Sequence, residues 1–242
     1  TVCRPTDTAI PVARGVRSVV FAPGPHGAHV TDVAGDQAAH AGGAKLVVQA
    51  ANPQRTGPHA HAASAAKAAV RAGCTQVDHG VLVDDEALQM MAKAGTYFEP
   101  QCELVSRNYL DHKEWFRGIG NYNDEGFAAT ERSLALREAL VKRYLAVRGL
   151  KVVFGTDAVA GAHGENGSDL TCRVKKNGES AVDIITSATS LSAESMGLGK
   201  ELGRIAVGYQ ADLVAFDGDP RTDPMAFQRV GFVMRGGQVH RA

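Results

Sequence analysis

Residues 59–80 read HAHAASAAKAAVRAGCTQVDHG: a histidine pair, an Ala-rich stretch and a third histidine before a glycine. Strand, helix, strand is the order this stretch predicts. Side chains two apart on a strand face the same way. His59 and His61 therefore share one cavity if "PHAHA" ends a strand, whereas on a helix they diverge. "AASAAKAAVRAG" predicts a helix, with Ser64 as its cap and Gly73 as its stop. "CTQVDHG" predicts a short strand that ends at His79.

The same alternation runs downstream. "DDEALQMMAKAG" opens with acids and closes at Gly95, a short helix with charges matched to its dipole. "TYFEPQCEL" is strand-like, and a polar loop around "FRGIGNYNDEG" follows. A long helix, "FAATERSLALREALVKRYLAVRG", precedes the apolar strand "LKVVFGTDA". This is the βαβα rhythm of a parallel α/β sheet or barrel. After Asp157 comes the loop "AGAHGENGSD", then helical "SAVDIITSATS" and "SAESMG". "GRIAVGYQADLVAFDGDP" and "RVGFVMRGGQVHR" read as strands, the second a hairpin across Gly236–Gly237.

Residues 1–58 have another texture, with no Glu, one Leu (Leu46) and one Lys (Lys45). Only "VTDVAGDQAAHAGGAKLVV" predicts a helix leading into a strand. Breakers and poor helix formers fill the rest. That stretch reads either as an irregular surface segment or as sequence outside the gene's natural frame. The expected organisation is thus an atypical segment over 1–58, a partial barrel over 59–203 and a β element over 204–242.

The 242 residues are 44% hydrophobic and 21% charged, a globular composition. Lys+Arg and Asp+Glu each number 26, which removes the electrostatic case for nucleic acid or an anionic membrane as partner. No apolar run reaches the roughly 18 residues of a membrane span. The start "TVCRPTDTAIPVARG" lacks a signal peptide's apolar region and an initiator Met, and the expectation is a trimmed or partial product. Cys3, Cys74, Cys102 and Cys172 are scattered. A chain of this size needs no staples, so they are expected as reduced thiols in a cytoplasmic protein.

His59, His61, His79 and Asp157 carry the chemistry. Taken singly, each has a bland reading: surface or capping histidines, a strand-end histidine bonded to backbone, an aspartate capping a turn. Their order decides otherwise. Each follows a predicted strand, and in parallel α/β folds the C-terminal strand ends share the face that bears the site. Imidazole and carboxylate are ligands for Zn²⁺ and similar ions, and a catalytic ion keeps a position open for water.

"HAHAASAAKAAVRAGCTQVDHG", "GTDA" and "ITSATSLSAESMGLGKELGRIAVGYQADLVAFDGDP" resemble the metal-dependent amidohydrolase superfamily. The group is the imidazolonepropionase-like and Xaa-Pro or Xaa-Arg dipeptidase-like one. The resemblance covers about residues 59–242 and is most specific in "GRIAVGYQADLV". It implies a (β/α)₈ barrel with a β-sandwich built from both chain ends. It implies a divalent metal, zinc in the first place, as one or two ions. His59 and His79 correspond to metal ligands at strands 5 and 6. Asp157 corresponds to the strand-8 aspartate that contacts the metal and takes the proton from the attacking water. His61 matches the second histidine of the family's "HAH", and Tyr97 and His163 lie in loops where such enzymes touch substrate. For these three, a packing or solvated role stays open. The implied substrate is a small amide, cyclic amide or dipeptide.

Two family features are missing. The strand-1 HxH has no counterpart among His26, His29 and His40, and Lys45 is a poor match to the strand-4 lysine. A whole barrel takes about 250 residues, about 30 per βα unit, so the residues before His59 are too few for four strands. The chain is therefore expected to be a partial barrel, strands 5–8, whose open edge a homo-oligomer or other partner would cover. The alternatives are a truncated, inactive family member, a half-barrel interaction module, or an unrelated α/β protein.

Overall fold

The structure is a computed structural model. It describes the backbone of Val20–Gly24 and Gly27–Thr31, and residues 57–241 in full. The chain divides into two compact units. One holds the residues to Pro100 together with Arg143–Val153, the other Gln101–Lys142 and Phe154 onward.

The first unit is α/β. Strand β1 (Val20–Gly24) pairs antiparallel with β2 (Gly27–Thr31), and β2 pairs parallel with β3 (Gly57–Pro58). This hairpin was not expected from the sequence. The helix expected beyond Thr31 lies outside the described residues. Helix α1 (Ala63–Arg71) follows β3 as predicted, but its first turn differs: Ala62 occupies the cap position and no side chain caps it, so Ser64 is inside the helix. Its buried face is Ala66, Ala69 and Val70, small enough for close packing. Gly73 ends it at φ 76°.

Strand β4 (Gln76–Asp78), helix α2 (Asp85–Ala94) and strand β5 (Tyr97–Glu99) come next. Asp84 caps α2 by accepting the Ala87 N–H at 2.8 Å, and Gly95 closes it in the left-handed conformation. β4, β5 and β6 (Lys151–Val152) form a parallel sheet, with Gln76, Tyr97 and Lys151 in register. A parallel bridge joins His59 to Asp78. Val77, Phe98, Leu88 and Met91 are fully buried around this sheet. Gly80 must be glycine: its φ is +57°, and a Cβ there would lie 2.5 Å from the Phe98 ring.

The second unit begins where the sequence predicts more strand. Instead Leu104–Asp111 is helix α3, followed by α4 (Lys113–Phe116). The cause is tertiary. Asp169, 1% exposed, accepts the N–H groups of Cys102, Glu103 and Leu104 at 3.0–3.1 Å, supplying from another element the cap that α3's own sequence lacks. Asp169 stands on α6 (Asn166–Lys175). One turn on, Cys172 is joined to Cys102 in a disulfide. No described cysteine is free, which overturns the expectation of reduced thiols; Cys3 lies outside the described residues. Disulfides favour oxidising compartments, so the cytoplasmic expectation loses the support it drew from thiols.

The long helix α5 (Asp124–Leu145) starts three residues before the predicted one because Asn123 accepts the Gly126 N–H at 2.9 Å. It begins in the second unit and ends in the first. Helix α7 (Ala181–Thr186), a π-turn over Ser187–Leu191 and α8 (Ser192–Ser195) fall where helix was expected. Ile184, Ala181 and Phe227 form a core cluster, with Leu170, Val174 and Phe216 packed on it. Arg173 and Glu179 pair through two hydrogen bonds of 3.0 and 2.7 Å, both side chains almost wholly buried. The tail is an antiparallel sheet of β7 (Leu213–Phe216), β8 (Val230–Arg235) and β9 (Gln238–Arg241). Its hairpin turns at Gly236 and Gly237, both at positive φ as such a turn demands. Among the described residues, no helix is long and apolar enough to cross a membrane.

Candidate metal centre

His59 directly follows β3, and its bridge to Asp78 sets it beside the end of β4. His79 is the first residue past β4, and its N–H donates to the Glu99 carbonyl at 2.8 Å. The two imidazoles meet there. His79 Nε2 and His59 Nδ1 are 3.0 Å apart. His61 joins them, with ring centroids 5.4 Å from His59 and 5.3 Å from His79. His79 is buried at 3% exposure, and the other two are half-buried. Three imidazoles so placed offer nitrogen lone pairs to one small volume.

The backbone marks the same place. Among the described residues, only His79 (φ 68°) and Asp157 (φ 52°) are non-glycine residues at positive φ. That conformation is costly for ordinary side chains and persists where surrounding contacts enforce it.

Asp157 belongs to the second unit, in irregular chain between β6 and α6, and is exposed. Gln101 donates to the Thr156 carbonyl and Asn108 to the Ala160 carbonyl, each at 2.9 Å. Thr156 Oγ1 donates to Asn166 Oδ1 at 2.7 Å. Tyr122 stands near enough for the Asp157 charge to act on it. Burial foremost, then a hydrogen bond with Tyr109 and that negative charge, push the Tyr122 phenol far above its usual range, so it remains protonated. Tyr109 and Tyr122 have ring centroids 4.4 Å apart, and Phe116 lies 4.7 Å from Tyr109. A cavity of about 370 Å³ is lined by Arg107, Asn108, His112, Gly161 and Lys176 among others.

The remaining candidates fall differently. Tyr97 opens β5 rather than ending it. It is buried, and Lys151 Nζ lies 4.8 Å over its ring, so of its two open roles the structure supplies packing. His163 is exposed in the turn over residues 160–164. Gln101, Asn108 and Tyr122 escaped the sequence reading, because a single amide or phenol carries no motif. Only Asn108's place in mid-helix, where Asn is a poor helix former, offered a signal.

A sequence profile of the amidohydrolase family matches residues 9–240. Ochratoxinase of Aspergillus niger is 27% identical over 203 residues, covering 81% of this chain and 40% of that protein. A crystal structure of a prolidase in complex with N-methylphosphonate-L-proline is 28% identical, with a TM-score of 0.67 over 76% of this chain and 44% of its own. A Xaa-Pro dipeptidase with methionine bound in its active site is 30% identical, TM-score 0.66, over 78% of this chain and 45% of that one. The chain therefore spans less than half the length of these relatives.

Proposed function

Since the chain belongs to the amidohydrolase family, we propose that it carries part of a metal-dependent hydrolase of C–N bonds, with β3, β4, β5 and β6 as barrel strands 5 to 8. The observation that carries this is the convergence of His59, His61 and His79, with two ring nitrogens 3.0 Å apart. The donor set fits a divalent ion such as zinc. Two nitrogens, each about 2.0–2.1 Å from one tetrahedral ion, stand about 3.3 Å from each other. Neutral imidazole is also the commonest protein ligand for such ions.

His59 and His79 are the proposed imidazole ligands and Asp157 the proposed carboxylate, with His61 beside them to orient or extend the set. A bound ion would lower the pKa of water towards 7 and polarise a carbonyl. Asp157 would accept the proton from the attacking water and return it to the leaving nitrogen. The Tyr122 hydroxyl, kept protonated, would add no second negative charge beside Asp157. The relatives named for prolidase and Xaa-Pro dipeptidase activity support a dipeptide or N-acyl amino acid ending in proline as the first substrate class to try.

Zinc content and hydrolysis of Met-Pro should be measured together on the wild-type chain. Asp157→Asn should lower turnover by about 10²- to 10⁴-fold with the circular dichroism unchanged. His59→Ala and His79→Ala should each lower bound zinc. Unchanged turnover would remove Asp157 from the mechanism, and full zinc retention would remove the histidines as ligands. A chain with neither zinc nor turnover would favour the second reading, an inactive member or half-barrel interaction module.

A further inference from the structure

No regular element holds Asp157. Its φ of 52° places it in the left-handed region, between β6 and α6. Two amide side chains flank it. Gln101 Nε2 is bonded to the carbonyl one residue before Asp157, and Asn108 Nδ2 to the carbonyl three residues after, both at 2.9 Å. Each amide is buried, Gln101 at 9% exposure and Asn108 at 7%.

Each amide is also set in place by its own neighbours. Gln101 Oε1 accepts from Arg137 Nη1 at 3.3 Å, which turns the NH₂ end of the amide towards Thr156. Asn108 projects from the middle of α3 and reaches out of its own helix to Ala160. Next to it is Gly161, at φ +86°. A Cβ there would lie 2.7 Å from Asn108 Oδ1 and 3.1 Å from the Trp115 ring. Glycine at this position leaves the room that the Asn108 amide needs.

We infer that Gln101 and Asn108 are positioning residues: two amide clamps that hold the Thr156–Ala160 segment in the one conformation that presents the Asp157 carboxylate, with Gly161 vacated for the second clamp. The inference rests on reading Asp157 as a metal ligand. Groups that orient a ligand through hydrogen bonds typically govern metal affinity by about 10- to 100-fold.

The test is a double-mutant cycle read by Zn²⁺ affinity, measured by competition of the full chain with a chromophoric chelator. Hydrogen–deuterium exchange over residues 154–162 is followed in parallel. Asn108→Leu and Gln101→Leu should each weaken Zn²⁺ binding about 10- to 100-fold and raise exchange in that segment. Gly161→Ala should do the same. In the Asp157→Asn background, Asn108→Leu should add no further loss, because the clamp acts only through that carboxylate. If Asn108→Leu does not fold, Gln101→Leu and Gly161→Ala run the same cycle. Losses that add in the double variant, or single variants that bind as tightly as wild type, would overturn the clamp while leaving the metal site standing. A wild-type chain that binds no Zn²⁺, or an Asp157→Asn variant with wild-type affinity, would overturn the functional reading and the clamp with it.

Discussion

At the scale of single residues, backbone strain and charge pairing tell different stories. His79 and Asp157 sit in the left-handed region, and both are residues the sequence singled out for their chemistry. Glu103 was not singled out, and it does structural work. Burial pushes its carboxyl up, but hydrogen bonds from Lys176 and Arg107 outweigh that and hold it below the usual range. A carboxylate depressed in the folded state adds stability above its ordinary pKa and loses it as pH falls through the folded value. Glu103→Gln should therefore lower the thermal midpoint near neutral pH by about 1–4 °C. The gap from wild type should close as pH drops below 4.5, the usual value for glutamate. Melting curves of both chains from pH 7 to pH 3 check it, and a gap that persists at pH 3 would mean that Glu103 acts by packing.

At the scale of elements, legibility follows where each cap comes from. Helix α2 was readable at both ends because Asp84 and Gly95 are its own neighbours in sequence. Asp84 also pairs with Lys67 of α1 at 2.6 Å. Asp84→Ala should cost about 1–2 kcal/mol in chemical denaturation, the usual loss for an N-cap aspartate, whereas Asp84→Asn should recover most of it. Helix α3 was not foreseen, and the strand expected to run to Leu104 ends sooner, because the helix cap, Asp169, is 65 residues from Leu104 in sequence. The start of α1 was misassigned for the opposite reason: a Ser stood ready at position 64, and the helix began without it.

At the scale of the whole molecule, the chain is two compact units and matches less than half the length of its relatives. The second unit has a cross-link that composition argued against. The Cys102–Cys172 bridge closes a separation of 70 residues. Cross-links over loops of that size stabilise by about 2–4 kcal/mol. The Cys102→Ser/Cys172→Ser double variant should unfold correspondingly earlier in urea, and non-reducing peptide mass spectrometry should recover the two cysteines as one linked species. Recovery of both as free thiols would restore the expectation of reduced cysteines.

The sequence by itself determined the α/β alternation from His59, the helix ends marked by local caps, the terminal hairpin and the histidines worth watching. These are short-range matters: periodicity, glycine at positive φ and side chains that cap their own helix act within a few residues. It also supplied the resemblance that the family match over residues 9–240 upholds. Only the tertiary structure decided that His61 joins His59 and His79, that Tyr97 packs beneath Lys151, and that Asp169 caps α3. It alone disclosed the two amide clamps on the Asp157 segment. Each of those depends on partners brought together from 18 to 67 residues apart, and no local pattern encodes such a meeting.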